Sequence, residues 1–324
     1  LTDCTGRFAP TPSGPLHAGS LTAAVISWLD ARSRRGRWHL RIDDIDRPRS
    51  VPGAADEILR TLDACGLGWD GPVVFQSQRE PAYRDALARL EADGRAFACA
   101  CSRQEVAAGG LVGLEGPIYP GTCRKGLPPG RRGRSVRLLA EQRHWTITDR
   151  SLGPLGFDLH RLGGDFVVRR ADGVFAYQLA TVVDDIALGV TDVVRGIDLL
   201  GSVPRQLQLY RAFGHPEPRY LHHPVVIADN GRKLAKSSGA VPVRRERPAA
   251  LLAPILTAIG IPDIGPGFAA AGPAAVDDLL EHARRHWSPE RLPSGPISAA
   301  LLRPALTPGP SPASGRGEKT RSSR

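Results

Sequence analysis

Two short stretches carry residues suited to phosphate chemistry. The first runs Gly6-Arg7-Phe8-Ala9-Pro10-Thr11-Pro12-Ser13-Gly14-Pro15-Leu16-His17-Ala18-Gly19-Ser20. His17 can donate a hydrogen bond to a phosphate, and the small Gly19 lets that phosphate approach a helix N-terminus closely. The second is Lys233-Leu234-Ala235-Lys236-Ser237, just after the turn Asp229-Asn230-Gly231. Two lysines with small neighbours suit a loop that closes on polyphosphate. Each string also has a plainer reading, as a proline-rich connector or as a solvated basic loop. Their pairing and order say more than either alone.

Three further groups could do chemistry. Asp43, Asp44 and Asp46 follow an alternating run, Trp38 to Ile42, and could hold an ammonium or a ribose hydroxyl; they also fit a turn paired with Arg47 and Arg49. Arg195 ends an apolar run, Thr191 to Gly196. Cys99, Cys101 and Cys123 fall in one loop-rich window. Three thiolates with a fourth ligand would form a closed structural zinc site, and three small buried residues are the alternative. No histidine lies between Cys101 and Cys123 to complete the set. His222 and His223 are adjacent in a strand, so their side chains should face opposite ways and not share a site.

The elements that position these residues can be read from periodicity. Phe8 ends a short apolar strand, and from Gly19 the residues Leu21, Ala24, Val25, Trp28 and Leu29 fall on one helical face. Gly36 marks the stop of that helix. Ser50 is placed to cap a second helix over Ile58, Leu59, Leu62 and Cys65. Val73-Val74-Phe75 reads as a strand, and a third helix spans about 80–92. The order β-α-β-α-β-α implies a doubly wound parallel sheet, an α/β nucleotide-binding architecture without a dinucleotide glycine fingerprint. Cys99-Ala100-Cys101 reads as strand, with both thiols on one side. Strands follow near 135–139 and 145–148. From Asp165 the parallel pattern is expected to resume, with a hairpin turn at Ala171-Asp172-Gly173 and a helix opened by Tyr177. Two helices near 248–260 and 275–287 close the ordered part.

The 324 residues carry a formal net charge of +10 and a pI near 9.9. Residues 304–324, rich in Pro, Ser, Gly and Arg, supply +3 of it and read as disordered. Arg124 to Arg143 is the densest basic stretch of the body. It suits a nucleic-acid backbone, or a solvated face. Five cysteines without a disulfide-like framework suit a reducing compartment. No secretory signal pattern and no apolar run of membrane-spanning length is present, so a cytoplasmic protein is expected.

Taken together, the first stretch, Arg41-Ile42-Asp43-Asp44-Ile45-Asp46, Gln76-Ser77-Gln78-Arg79, Phe175-Ala176-Tyr177-Gln178-Leu179-Ala180, Val182-Val183-Asp184-Asp185, Val194-Arg195-Gly196-Ile197-Asp198 and the lysine string resemble the catalytic domain of class I glutamyl-tRNA synthetases over about residues 5–240. Full synthetases of that family continue into a long anticodon-binding region, for which residues 243–303 are too few. A truncated branch of the family shares this outline and the Cys-X-Cys…Tyr-X3-Cys pattern. The resemblance implies a Rossmann-like class I catalytic domain split into 1–96 and 151–242, a zinc-binding insertion at 97–150, a short helical region at 243–303 and a tail at 304–324.

It further implies activation of L-glutamate with ATP without tRNA, then transfer to the cyclopentenediol of queuosine at the wobble position of tRNA(Asp), whose anticodon loop enters the site. Charging of an acceptor end, or a non-catalytic zinc-containing RNA-binding role, are the alternatives. By the same resemblance Arg7, Phe8, Ala9, Pro10, Thr11, Asp43, Tyr177 and Arg195 line the glutamate site, with Asp43 where the family usually has Glu. His17, Gly19, Lys233 and Lys236 serve ATP and the chemical step. Cys99, Cys101, Tyr119 and Cys123 bind one structural zinc. Mg2+ accompanies ATP, and a monomer with no membrane partner is expected.

Overall fold

The computed structural model describes residues 4–114, 116–141, 143–234, 241–243, 245–265 and 274–305. The first half alternates β1 (Thr5–Phe8), α1 (Ala18–Ser33), β2 (Arg37–Ile42), α2 (Ala54–Ala64), β3 (Val74–Phe75) and α3 (Glu80–Ala92). β2 runs parallel to β1, with Phe8 opposite Leu40, and β3 runs parallel to β2. Helix α1 forms because its apolar residues recur at helical spacing, and Leu21, Val25 and Leu29 are fully buried against the sheet. Burying one such side chain contributes about 1.5–3 kcal/mol. The helix stops at Ser33, and Gly36 serves another end. A Cβ there would lie 2.4 Å from the Cys4 carbonyl oxygen, so only glycine lets the chain pass β1. Helix α2 starts later than Ser50 suggests. Its N-cap is Gly53 in the left-handed region, while the Ser50 hydroxyl bonds back to the Asp46 carbonyl.

The middle of the chain holds β4 (Ala96–Cys99), α4 (Arg103–Ala108), the small hairpin β5 (Val112–Gly113) and β6 (Gly116–Pro117), then β7 (Ser135–Leu138), β8 (His144–Asp149), β9 (Gly153–Asp158) and β10 (Phe166–Arg169). Two expectations change here. β4 ends at Cys99, so Cys101 lies beyond the strand in the turn before α4. β10 does not resume the parallel sheet. It pairs antiparallel with β7, as β4 does from the other side. β9 escapes the sequence pattern because Gly-Pro-Leu-Gly reads as a turn; an edge hairpin with β8 tolerates that proline.

The second half comprises α5 (Tyr177–Ala187), β11 (Asp192–Gly196), α6 (Val203–Phe213), β12 (Arg219–His223), β13 (Val226–Ile227), α7 (Pro248–Ala258), α8 (Ala274–His286) and β14 (Ile297–Ser298). β11 and β12 are parallel, with Arg195 opposite His222. β11 lies along β1: the Thr191 N–H donates to the Thr5 carbonyl, and the Thr5 N–H to the Thr191 hydroxyl. The two parallel sets, β1-β2-β3 and β11-β12, therefore lie side by side in the spatial order β3-β2-β1-β11-β12, and the order of the chain reverses between β1 and β11. Helices α7 and α8 have no separate core: Leu252, Ile255, Leu279 and Ala283 join the same apolar cluster as Leu21, Trp38 and Leu40.

Candidate active site

A cleft of about 270 Å³ opens at the carboxyl ends of β1, β2, β11 and β12. This is the place where a doubly wound sheet reverses its order and leaves a crevice for ligands. Arg7, Phe8, Ala9, His17, Gly19, Asp43, Tyr177, Arg195 and Lys233 all border it. Pro10 and Thr11 do not. The Pro10 carbonyl instead accepts the Asp43 N–H at 3.0 Å, which ties the loop after β1 to the end of β2. Lys236 lies outside the described residues.

One wall is built from buried charges. Asp185 on α5 accepts from Arg7 Nε at 3.2 Å and from Arg41 Nη1 at 2.6 Å. Arg41 also donates to Asp43, at 2.6 Å from Nε and 3.4 Å from Nη2. Burial opposes charge on Arg41, but the surrounding aspartates outweigh it and hold the guanidinium ionised. Asp184 accepts from Tyr83, Gln76 and Arg79, which locks α5 to α3 and to the turn after β3, and its Oδ2 also lies 3.9 Å from Arg41 Nε. Tyr177 opens α5, and its ring is over a third exposed at the cleft.

Arg195 is held from behind. Its Nε donates to His222 Nε2 at 3.1 Å and its Nη1 to Gln206 Oε1 at 2.7 Å. Its guanidinium lies 5.4 Å over the Tyr220 ring. The two histidines do diverge, as alternation requires. His223 borders the cleft, and its Nδ1 donates to the Pro224 carbonyl at 2.9 Å. Burial pushes its pKa down to about 4, so the ring is neutral. His222 is buried, yet it reaches the same cleft through Arg195. That link was invisible in the sequence.

The opposite wall is the start of α1. His17 is the N-cap: its Nδ1 accepts the Ser20 N–H at 3.3 Å, while the Ser20 hydroxyl accepts the His17 N–H at 2.9 Å. A neutral ring that accepts at Nδ1 carries its proton on Nε2, so this cap fixes His17 as a donor. A Cβ on Gly19 would meet the His17 ring at 3.2 Å, so glycine keeps that ring and the helix terminus open to an anion. Lys233 Nζ lies 2.5 Å from Asp198 Oδ2, and both residues border the cleft.

Away from the cleft, the sulfurs of Cys99, Cys101 and Cys123 lie within 4.8 Å of one another, with Cys101 and Cys123 at 3.8 Å. Ligands about 2.3 Å from a tetrahedral zinc are about 3.8 Å apart, so this spacing fits a metal. Burial opposes a Cys99 thiolate, but hydrogen bonds with Tyr119 and Arg137 prevail and bring its pKa to about 7. Burial and the neighbouring Cys123 and Cys99 sulfurs push the Cys101 thiol up to about 11. Tyr119 Oη is 3.5 Å from Cys99 Sγ and accepts the Cys123 N–H at 2.8 Å. The basic stretch behind this module is partly spent internally. Arg124 pairs with Asp165, Arg131 with Glu105 and Arg143 with Asp158, while Arg137 stacks on Tyr119.

Sequence reasoning missed Arg41, Asp185 and His222 as parts of this site. The strings Arg41–Asp46 and Val182–Asp185 drew notice, but nothing in them showed that their charges meet. Among the described residues no helix is long and apolar enough to cross a membrane.

Comparison with known proteins agrees with this geometry. The family described as tRNA synthetases class I (E and Q), catalytic domain, matches residues 3–115 and 119–249. The Glutamyl-Q tRNA(Asp) synthetase of Chromobacterium violaceum is 51% identical over 297 residues, 91% of this chain and 97% of its own. That of Aromatoleum aromaticum is 52% identical, covering 87% of this chain and 88% of its own. Among solved structures, a glutamate tRNA ligase from Elizabethkingia meningosepticum in complex with its amino acid superposes with a TM-score of 0.76. It is 21% identical and covers 94% of this chain and 68% of its own, a likeness of fold. With a crevice built at the sheet's reversal and these matches along most of its length, the chain belongs to the class I tRNA synthetases of the E and Q group, in the branch of the glutamyl-Q tRNA(Asp) synthetases.

Proposed function

We propose that the chain activates L-glutamate with ATP, without tRNA, and passes the glutamyl group to the cyclopentenediol of queuosine at the wobble position of tRNA(Asp). One observation carries the reading: a single cleft is bordered by the cations Arg7 and Arg195, the carboxylate Asp43 and the phosphate donors His17 and Lys233. In the first step the α-carboxylate oxygen of glutamate attacks the α-phosphorus, and pyrophosphate leaves. His17 Nε2–H and the lysines supply donors where charge builds on the phosphates. Tyr177 and Arg195 hold the amino acid, Arg195 as a charged donor to its carboxylate, and Asp43 holds the ammonium. In the second step a queuosine hydroxyl attacks the acyl carbon, loses its proton, and AMP leaves.

Mg2+ would accompany ATP. One zinc, held by Cys99, Cys101 and Cys123 with Tyr119 as fourth ligand, would fasten β4 to the loop before β7. Residues 97–150 serve as the insertion between the two halves of the catalytic domain, and the anticodon loop of tRNA(Asp) approaches the cleft. The protein works as a cytoplasmic monomer in this reading. The test is transfer of labelled glutamate to queuosine-containing and to unmodified tRNA(Asp). Labelling of the modified RNA alone is expected. Equal labelling of both, or labelling of an acceptor end, would overturn the proposal.

A further inference from the structure

Behind the cleft lies a chain of three buried polar residues from three strands. Asp149 ends β8, His222 lies in β12 and Arg195 in β11. Asp149 Oδ2 is 2.7 Å from His222 Nδ1 and also accepts the His222 backbone N–H at 3.1 Å. Asp149 Oδ1 accepts the N–H groups of Ser151 and Leu152, at 2.9 and 3.1 Å, in the turn to β9. Both carboxylate oxygens are thus committed. Asp149 can only accept, so His222 carries its proton on Nδ1. Its Nε2 lone pair then faces Arg195, whose Nε–H donates to it. Gln206 takes Nη1. The remaining nitrogen, Nη2, is buried and has no hydrogen-bond partner among the described residues.

We propose that Asp149 and His222 are positioning residues for the amino-acid substrate, fixing the tautomer and rotation that leave Arg195 Nη2 as the donor to the substrate carboxylate. The inference rests on the reading of Arg195 as a carboxylate clamp. An arginine can offer a carboxylate several of its edges, and this network occupies the others. Were the proton on His222 Nε2, it would oppose the Arg195 Nε–H, and the guanidinium would turn away. The arrangement follows a general rule for histidines: the bond made by one ring nitrogen sets what the other can do. Tyr220 stacks on the His222 ring at 5.8 Å, and both His222 and Arg195 are buried.

Two measurements test this. In glutamate-dependent ATP–pyrophosphate exchange, His222→Ala should raise the KM for glutamate about tenfold or more, the scale of a lost hydrogen bond to a charged group. The KM for ATP should stay within about twofold of the wild type. His222→Gln, whose side-chain carbonyl can accept from Arg195, should recover most of the loss. Asp149→Asn should resemble His222→Ala, because an amide must turn its NH2 toward either His222 or the turn. A merely structural role would move both KM values and the melting temperature together in all three variants, and that result overturns the proposal.

The second measurement needs no variant. ¹⁵N NMR of histidine-labelled wild-type protein should show two buried rings with the proton on Nδ1, His222 and His223, of which His222 has the strongly hydrogen-bonded Nε2, while His223 Nε2 has no partner among the described residues. A proton on Nε2 of His222 overturns the proposal even if the variants fail to fold. Absence of glutamate-dependent exchange in the wild type would overturn the functional reading instead, and the NMR result would still decide the relay.

Discussion

Asp185 Oδ1 lies 2.6 Å from Arg41 Nη1, and the side chains of both are almost wholly buried. The same carboxylate takes Arg7 Nε at 3.2 Å. One aspartate on α5 therefore fixes two guanidinium groups, from β1 and β2, on the floor of the cleft. Removing it would take from Arg7 its carboxylate partner and leave Arg41 with Asp43 and the more distant Asp184. Breaking a buried pair by deleting one partner costs about 3–5 kcal/mol. Asp185→Ala should lose that much in a denaturant titration. Asp185→Asn keeps one acceptor and should lose less. A loss under about 1 kcal/mol for the alanine variant would show that water or neighbouring groups satisfy the arginines.

The lysine string should govern rate. Charge grows on the α-phosphate and the departing pyrophosphate, and a cation in a partly dehydrated site stabilises it more than in water. Lys236→Ala should slow adenylate formation about a hundredfold, the scale of losing one preorganised donor. The KM for glutamate should change little, because Arg7, Tyr177 and Arg195 serve that substrate in the proposed mechanism. Single-turnover kinetics that show weakened glutamate binding at unchanged rate would remove this loop from ATP chemistry.

The zinc proposed for the cysteine cluster should be lost on Cys101→Ser, measured by metal analysis of the purified protein. The 97–150 region should become easier to cleave by protease, while pyrophosphate exchange stays largely intact. Freshly purified wild type without zinc would sink the assignment.

Acid should weaken the back of the sheet. Burial opposes charge on Asp192, but bonds from Arg219, Thr191 and Arg34 outweigh it and hold its pKa below the usual aspartate value. A carboxylate depressed in the fold stabilises it above its unfolded pKa, and that stability is lost as pH falls through the folded value. Melting temperature should therefore drop as pH falls below about 4, the ordinary aspartate range. Asp192→Asn should start lower at neutral pH and show a shallower acid slope. An unchanged slope would exclude Asp192 from the acid response.

The sequence by itself determined the architecture and the two ends of the site. Periods of two and 3.6 in the first ninety residues reflect how strands and helices present side chains to a core, and they are local properties. His17, Gly19 and Lys233 could be found because a helix N-terminus and a lysine loop are local objects too. What failed locally did so for tertiary reasons. β10 joins an antiparallel sheet because β7 lies between it and β4. The charge network was decided by folding alone. Asp185 meets Arg41 across 144 positions, and Asp149 meets His222 across 73. Adjacent histidines on one strand must diverge, but only the register of β12 against β11 sets His222 beside Arg195. Long-range pairing of buried charges leaves no period in a sequence, because each partner is chosen by the other element's geometry and not by its own neighbours.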